Sequence, residues 1–124
     1  VVRKIVESAA KAHLESLSLY AFSTENWSRP KKEILGIKKL IINAIDSQVP
    51  DLISQKVRLN FFGDYSSFGD GVIVAIEEAQ EATAFQDPKL KLNIALGYSG
   101  RQEIIYATKK IAEMIITPIF MVIF

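Results

Sequence analysis

The densest group of chemically capable side chains is the run Ser-Thr-Glu-Asn-Trp-Ser-Arg at residues 23–29. It combines hydroxyls, a carboxylate, a carboxamide, an arginine and the chain's only tryptophan, Trp27. Hydroxyl and guanidinium donors suit phosphate oxygens, and a tryptophan ring can line an apolar channel or stabilise a cation. Taken alone, the same residues also fit a polar turn whose tryptophan packs on the core. Both interpretations stay open at this point.

The composition limits which other chemistry is available. The chain has 124 residues, 49% hydrophobic and 23% charged, a globular profile with enough residues for one core. The absence of cysteine excludes a disulfide scaffold, a cysteine nucleophile and a thiolate metal site, and the single His13 excludes a histidine-rich metal cage within one chain. Fifteen basic and fourteen acidic residues give a net charge of +1, too balanced for a dedicated nucleic-acid binder.

Helical and strand periods alternate along the chain and predict the elements that position this loop. Apolar spacing indicates helices over 1–12, 31–48, 71–83 and 101–116, with a further turn at 51–55 and with Pro50 interrupting the second helix. Strands are predicted at 17–22, 57–62 and 90–96. The order α-β-α-β-α-β-α predicts an α/β fold, a parallel β-sheet flanked by helices. Ligands of such sheets bind beyond the carboxyl ends of the strands, where the loops 23–29, 63–66 and 97–101 would meet.

The segment Leu17–Pro30 resembles a signature of the cis-prenyltransferases, the family of undecaprenyl diphosphate synthases and related Z-polyprenyl diphosphate synthases. Fourteen contiguous residues carry the resemblance, and four further blocks follow in order: Val57–Asp64, Ala75–Ala79, Leu92–Ala95 and Tyr98–Ile104. The similarity covers nearly all of residues 1–114, which we interpret as the central part of an incomplete cis-prenyltransferase-like domain. Residues 115–124 form an apolar tail that does not fit the family's pattern.

The resemblance implies an enzyme that condenses isopentenyl diphosphate onto an allylic diphosphate, usually farnesyl diphosphate, with Mg²⁺ as cofactor. It implies Asn26 as the catalytic residue. The residues it implies for substrate binding are Ser23, Thr24, Glu25, Trp27, Arg29 and Arg101. A homodimer or heterodimer is expected, as is a cytoplasmic or peripheral membrane location, with a plastid or endoplasmic-reticulum source left open.

Segments that carry the family's metal-binding aspartate and its downstream arginines have no counterpart in these 124 residues. We therefore expect an internal fragment whose metal ligands lie outside the chain, and we expect residues 1–124 alone to have no measurable synthase activity. The alternative function is a non-catalytic partner or scaffold subunit of a prenyltransferase complex. The glycine usual after the family's first helix is replaced by Ala12-His13.

Three features allow both a structural and a functional interpretation. The apolar stripe of helix 31–48 fits an ordinary core and also the lining of a tunnel for a growing polyprenyl chain. Asp64 fits a turn better than a metal site. The pairs Lys31-Lys32 and Lys38-Lys39 fit a solvated face and also an approach to anionic lipid.

Overall fold

A computed structural model of the chain describes residues 2–23 and 28–123. The helices are α1 (Val2–Lys11), α2 (Lys31–Ser54), α3 (Asp70–Ala82) and α4 (Gly100–Ile123), and a short 3-10 turn spans Tyr65–Phe68. The strands are β1 (Ser16–Phe22), β2 (Val57–Phe62) and β3 (Leu90–Leu96). This order confirms the predicted alternation of helices and strands. Within the described ranges, no helix is both long and apolar enough to cross a membrane.

The three strands form one parallel sheet in the order β1-β3-β2. Leu92 in the central strand lies in register with Leu17 of β1 and Leu59 of β2, so that one face of the sheet is apolar. Helices α1, α2 and α3 contribute to the core on this face. Its largest fully buried side chains are Val57, Val72, Ile76, Thr83, Leu90 and Leu96. The parallel α/β sheet confirms the fold class predicted from the sequence.

The end of β1 departs from the simple alternation that its sequence suggests. The register with β3 shifts between Tyr20 and Phe22, which marks a bulge. As a result Phe22, only 4% exposed, enters the core, whereas Ala21 is exposed. Strict alternation along residues 17–22 predicts that Ala21 shares a face with Leu17 and Leu19 and that Phe22 lies on the opposite face. This prediction is wrong, because a bulge moves the following side chain to the other face of the strand.

The outer edge of β2 is covered by side chains of α3 and the residue that follows it. The Leu59 backbone N–H donates to Oγ1 of Thr83 at 3.0 Å, and the Phe61 N–H donates to Oε1 of Gln80 at 2.8 Å. The Thr83 hydroxyl in turn donates to the Ala79 carbonyl at 2.8 Å. An uncovered edge strand presents unpaired N–H groups to other chains, and here side chains satisfy two of them.

Helix boundaries differ from the prediction at three places. Pro50 does not interrupt α2, because Ile45 and Leu52 are both buried and packing on either side holds the helix through it. Helix α3 begins at Asp70, one residue before the predicted start at 71, and follows Gly69 with φ +90°. Helix α4 extends beyond the predicted end at residue 116, to Ile123.

Helix α1 ends in a tight turn at His13. The His13 N–H donates to the Ala10 carbonyl at 3.2 Å and the Leu14 N–H to the Ala9 carbonyl at 3.1 Å. These two bonds form a Schellman motif, with His13 at the position that adopts left-handed φ, here +58°. Glycine favours this position, so the replacement noted in the sequence leaves a residue with a Cβ in a disfavoured conformation.

Candidate functional site

A cleft of about 640 Å³ opens at the carboxyl ends of β2 and β3, beside the first turns of α4. This is the edge at which open parallel sheets bind ligands. Residues from the ends of both strands, from the two loops that follow them and from α4 line it: Phe62, Gly63, Asp64, Gly97, Tyr98, Ser99, Gln102, Glu103 and Tyr106. The predicted loops 63–66 and 97–101 therefore both contribute to one cleft.

Two glycines allow the loops after β2 and β3 to cross closely. Gly63 has φ +112° and Gly97 has φ +67°, both in the region that side chains disfavour. A Cβ on Gly63 would overlap the Leu96 carbonyl oxygen, and a Cβ on Gly97 would overlap that of Asp64. The Asp64 N–H donates to the Gly97 carbonyl at 2.9 Å and joins the two turns. The floor of the cleft is thus fixed by backbone contacts.

The end of β1 is tied to the same turn. The Phe22 carbonyl accepts the N–H groups of Gly97 at 2.8 Å and Tyr98 at 3.3 Å. Ser23, the first residue of the signature loop, follows directly and is half-buried. All three loops predicted to meet at this edge therefore begin next to one another.

Tyr98 is the centre of an aromatic group at the cleft. Its ring lies 5.6 Å from that of Tyr20 and 5.2 Å from that of Phe62, centroid to centroid, within the range of favourable aromatic pairs. Its hydroxyl donates to Oε2 of Glu103. This hydrogen bond, together with desolvation and the negative charge of Glu103, raises the pKa of Tyr98 above its usual value.

The carboxylate of Asp64 stabilises the turn after β2. It accepts hydrogen bonds from the Ser66 hydroxyl at 2.5 Å and the Ser67 hydroxyl at 3.5 Å. Among the described residues, no three histidine or acidic side chains come close enough together to hold a metal ion. The geometry therefore favours the turn interpretation of Asp64, and no magnesium ligand is assigned in the described part of the chain.

The predicted site residues are only partly within the described ranges. Thr24, Glu25, Asn26 and Trp27 lie outside them. Arg29 is exposed just before α2, and Arg101 is exposed in the first turn of α4. Arg101 does not line the cleft, although its neighbours Gln102 and Glu103 do.

Sequence reasoning missed the aromatic and acidic lining of the cleft. Gln102, Glu103 and Tyr106 have the i, i+1, i+4 spacing that places side chains on one side of a helix. Since the helix begins at the predicted binding edge, this spacing was the signal that could have identified them.

Comparison with known proteins places this architecture in a family. A family model described as "Putative undecaprenyl diphosphate synthase" matches residues 1–119. The chain is 43% identical over 114 residues to the farnesyl-diphosphate-specific ditrans,polycis-undecaprenyl-diphosphate synthase of Yersinia pseudotuberculosis, covering 92% of this chain and 45% of that protein. It is 41% identical over 114 residues to the synthase of the same name from Haemophilus ducreyi, covering 92% and 47%.

Solved structures agree with the sequence comparison. The crystal structure of a probable undecaprenyl diphosphate synthase from Campylobacter jejuni matches with a TM-score of 0.82 and 37% identity, over 91% of this chain and 55% of that one. Lavandulyl diphosphate synthase from Lavandula x intermedia, in complex with dimethylallyl diphosphate, matches with a TM-score of 0.84 and 25% identity, over 93% and 49%. The chain spans about half the length of the curated relatives it matches. It belongs to the undecaprenyl diphosphate synthase family of prenyltransferases.

Proposed function

We propose that this chain serves cis-prenyl chain elongation, in which isopentenyl diphosphate is condensed onto an allylic diphosphate such as farnesyl diphosphate to give a Z-polyprenyl diphosphate. The family match and the names of the relatives support the reaction class. The observation that carries the proposal is the position of the signature loop. It starts at the carboxyl end of β1, where the Phe22 carbonyl is bonded to the turn that lines the cleft.

The reaction sets clear demands on the site. The allylic diphosphate ionises to a carbocation and a diphosphate, a carbon–carbon bond forms to isopentenyl diphosphate, and a proton then leaves. We propose that Ser23, Thr24 and Glu25 lie against the substrates, and that Arg29 and Arg101 bind diphosphate oxygens, since guanidinium groups bind these oxygens in a fork.

The two other predicted site residues of the loop are Asn26 and Trp27. We propose that Trp27 binds substrate, since a tryptophan ring can line an apolar channel or stabilise developing positive charge. Asn26 is proposed as the catalytic residue through hydrogen bonding. A carboxamide is barely basic near neutral pH and lacks the matched pKa of a general base. We therefore propose that Asn26 positions the diphosphate, which itself takes the proton.

Further properties of the family extend the proposal. Mg²⁺ is proposed as the cofactor that neutralises diphosphate charge, with no ligand assigned among the described residues. We also propose that the protein acts in isoprenoid biosynthesis as a homodimer or heterodimer. Its proposed location is cytoplasmic or peripheral to a membrane, with contact to the bilayer. The near-neutral charge of the chain supports substrates other than nucleic acid.

A chimera tests the proposed function. Residues 1–114 would replace the matching stretch of the Yersinia pseudotuberculosis synthase, and product would be measured with radiolabelled isopentenyl diphosphate, farnesyl diphosphate and Mg²⁺. We expect Z-polyprenyl product that is lost with Asn26→Ala and retained with Asn43→Ala, a matched change of an exposed asparagine on α2. A chimera that folds by circular dichroism and makes no product would favour the non-catalytic partner instead.

A further inference from the structure

The first half of α2 carries an unusual concentration of positive charge. Between residues 29 and 45 there are five basic residues and a single acidic one, Glu33, a local charge of +4 in a chain whose total is +1. Lys31, Lys32 and Lys39 are exposed and Lys38 is half-buried. In the described part of the chain, the ion pairs all involve Arg3, so no carboxylate neutralises these lysines.

The four lysines share one side of the helix with an exposed leucine. At 100° per residue, they fall within an arc of about 120° with Leu35 near its middle. Leu35 is 57% exposed. The core-facing stripe includes the buried Ile45 and the half-buried Ile41 on the adjoining side of the helix, and it overlaps the lysine arc at the half-buried Ile42. We define Lys31, Lys32, Leu35, Lys38 and Lys39 as the basic face.

We propose that the basic face docks α2 onto the surface of an anionic lipid bilayer. The ammonium groups of the face can pair with lipid phosphates, and Leu35 between them can enter the headgroup region. Charge complementarity favours an anionic bilayer as the partner, because the charged side chains of the basic face are all positive. The inference rests on the membrane contact proposed above and names the surface that makes it.

The position of the face is compatible with an accessible cleft. α2 follows the signature loop, whereas the cleft is lined from β2, β3, their loops and α4. None of the five residues of the basic face lines the cleft. The face and the cleft are therefore made of separate residues and can be altered independently.

Vesicle binding by the chain tests the inference. Cosedimentation would be measured with phosphatidylglycerol-rich and pure phosphatidylcholine vesicles at low and high salt. We expect binding to the anionic vesicles only, weakened by salt. The combined variant Lys31→Gln, Lys32→Gln, Lys38→Gln and Lys39→Gln should bind several hundredfold more weakly, since each lysine near the surface contributes about a fivefold effect. Leu35→Ser should weaken binding with no change of charge.

The matched control removes the same charge elsewhere. Lys4→Gln, Lys11→Gln, Lys89→Gln and Lys109→Gln change four exposed lysines outside the basic face and should retain most of the binding. Equal losses in both variants would overturn the assignment of the surface while leaving the membrane contact. A parent chain that does not bind anionic vesicles would overturn both. Binding to single-stranded RNA with the same lysine dependence, without vesicle binding, would assign the face to another polyanion.

Discussion

Replacing Thr83 with valine tests how the edge of β2 is held. Thr83 is fully buried, and its hydroxyl accepts the Leu59 N–H and donates to the Ala79 carbonyl. Valine has nearly the same shape but offers no acceptor, so Thr83→Val leaves the Leu59 N–H buried without a partner. The Ala79 carbonyl keeps the bond from the Thr83 backbone N–H, at 3.1 Å. One orphaned donor is therefore the main consequence.

The expected loss in free energy of unfolding is about 2 kcal/mol, within the range for an unsatisfied buried N–H. Thr83→Ser is the matched control: it keeps the hydroxyl and loses one methyl, at a cost of about 1 kcal/mol. Urea denaturation would measure both stabilities, and amide hydrogen exchange would follow the Leu59 N–H directly. Protection of the Leu59 amide should fall by about 30-fold in the valine variant, the equivalent of 2 kcal/mol. It should fall less in the serine variant.

A valine variant that is as stable as the serine variant, with the Leu59 amide still protected, would refute the reasoning. It would mean that β2 finds another partner for this edge or that the hydroxyl does not accept the bond. Gln80 offers an independent check, because Gln80→Met removes the acceptor for the Phe61 N–H while Gln80→Glu keeps one.

Three further predictions concern backbone conformation and the cleft. His13→Gly should raise the free energy of unfolding by about 1 kcal/mol, because it relieves a left-handed φ of +58°; unchanged stability in urea would contradict the assigned strain. Gly97→Ala should lower the free energy of unfolding by about 3 kcal/mol or more, since its Cβ would overlap a carbonyl oxygen and φ is positive. Gly36 has open space around it inside α2, so Gly36→Ala should raise the free energy of unfolding by about 0.5–1 kcal/mol. Equal effects of the two changes would refute the crossing of the turns. The pKa of Tyr98 should lie above 10.0, chiefly through its hydrogen bond to Glu103, so its contribution to stability is constant below pH 10 and is lost as the pH rises through the folded-state pKa. Titration of tyrosinate absorbance, taken as the difference from Tyr98→Phe, measures this pKa. A pKa of Tyr98 that does not fall in Glu103→Ala would exclude the hydrogen bond as the cause.

The parts of the fold that depend on local periodicity could be predicted from the sequence. Strands β2 and β3 have the predicted bounds, and the alternation of elements is sufficient to predict a parallel sheet. Parts that depend on tertiary contacts could not. Pro50 signals a break when read locally, but burial of Ile45 and Leu52 on either side overrides it. The bulge at Phe22 depends on pairing with a strand about 70 residues later.

In the candidate site too, some features could be predicted from the sequence and others depend on tertiary contacts. The loops that meet at the carboxyl ends of the strands follow from topology alone, because parallel strands all end at one edge. The contact between Tyr98 and Glu103 depends on how α4 leaves that edge, and the aromatic group around Tyr98 requires side chains from all three strand ends. The aromatic contacts of Tyr98 with Tyr20 and Phe62 join residues far apart in sequence and have no short-range signal. The roles of Asn26 and its neighbours stay predictions from the resemblance.

The crossing of the Gly63 and Gly97 turns separates the shape of the cleft from its chemistry. Backbone atoms make the crossing, so cleft side chains that take no part in it, such as the exposed Gln102 and Tyr106 of α4, can change while the two turns keep their path. A set of variants at these positions would sample different polarities and sizes on a constant frame. For protein engineering, this makes the edge a place to vary ligand preference at little risk to folding, provided that the two glycines are left in place.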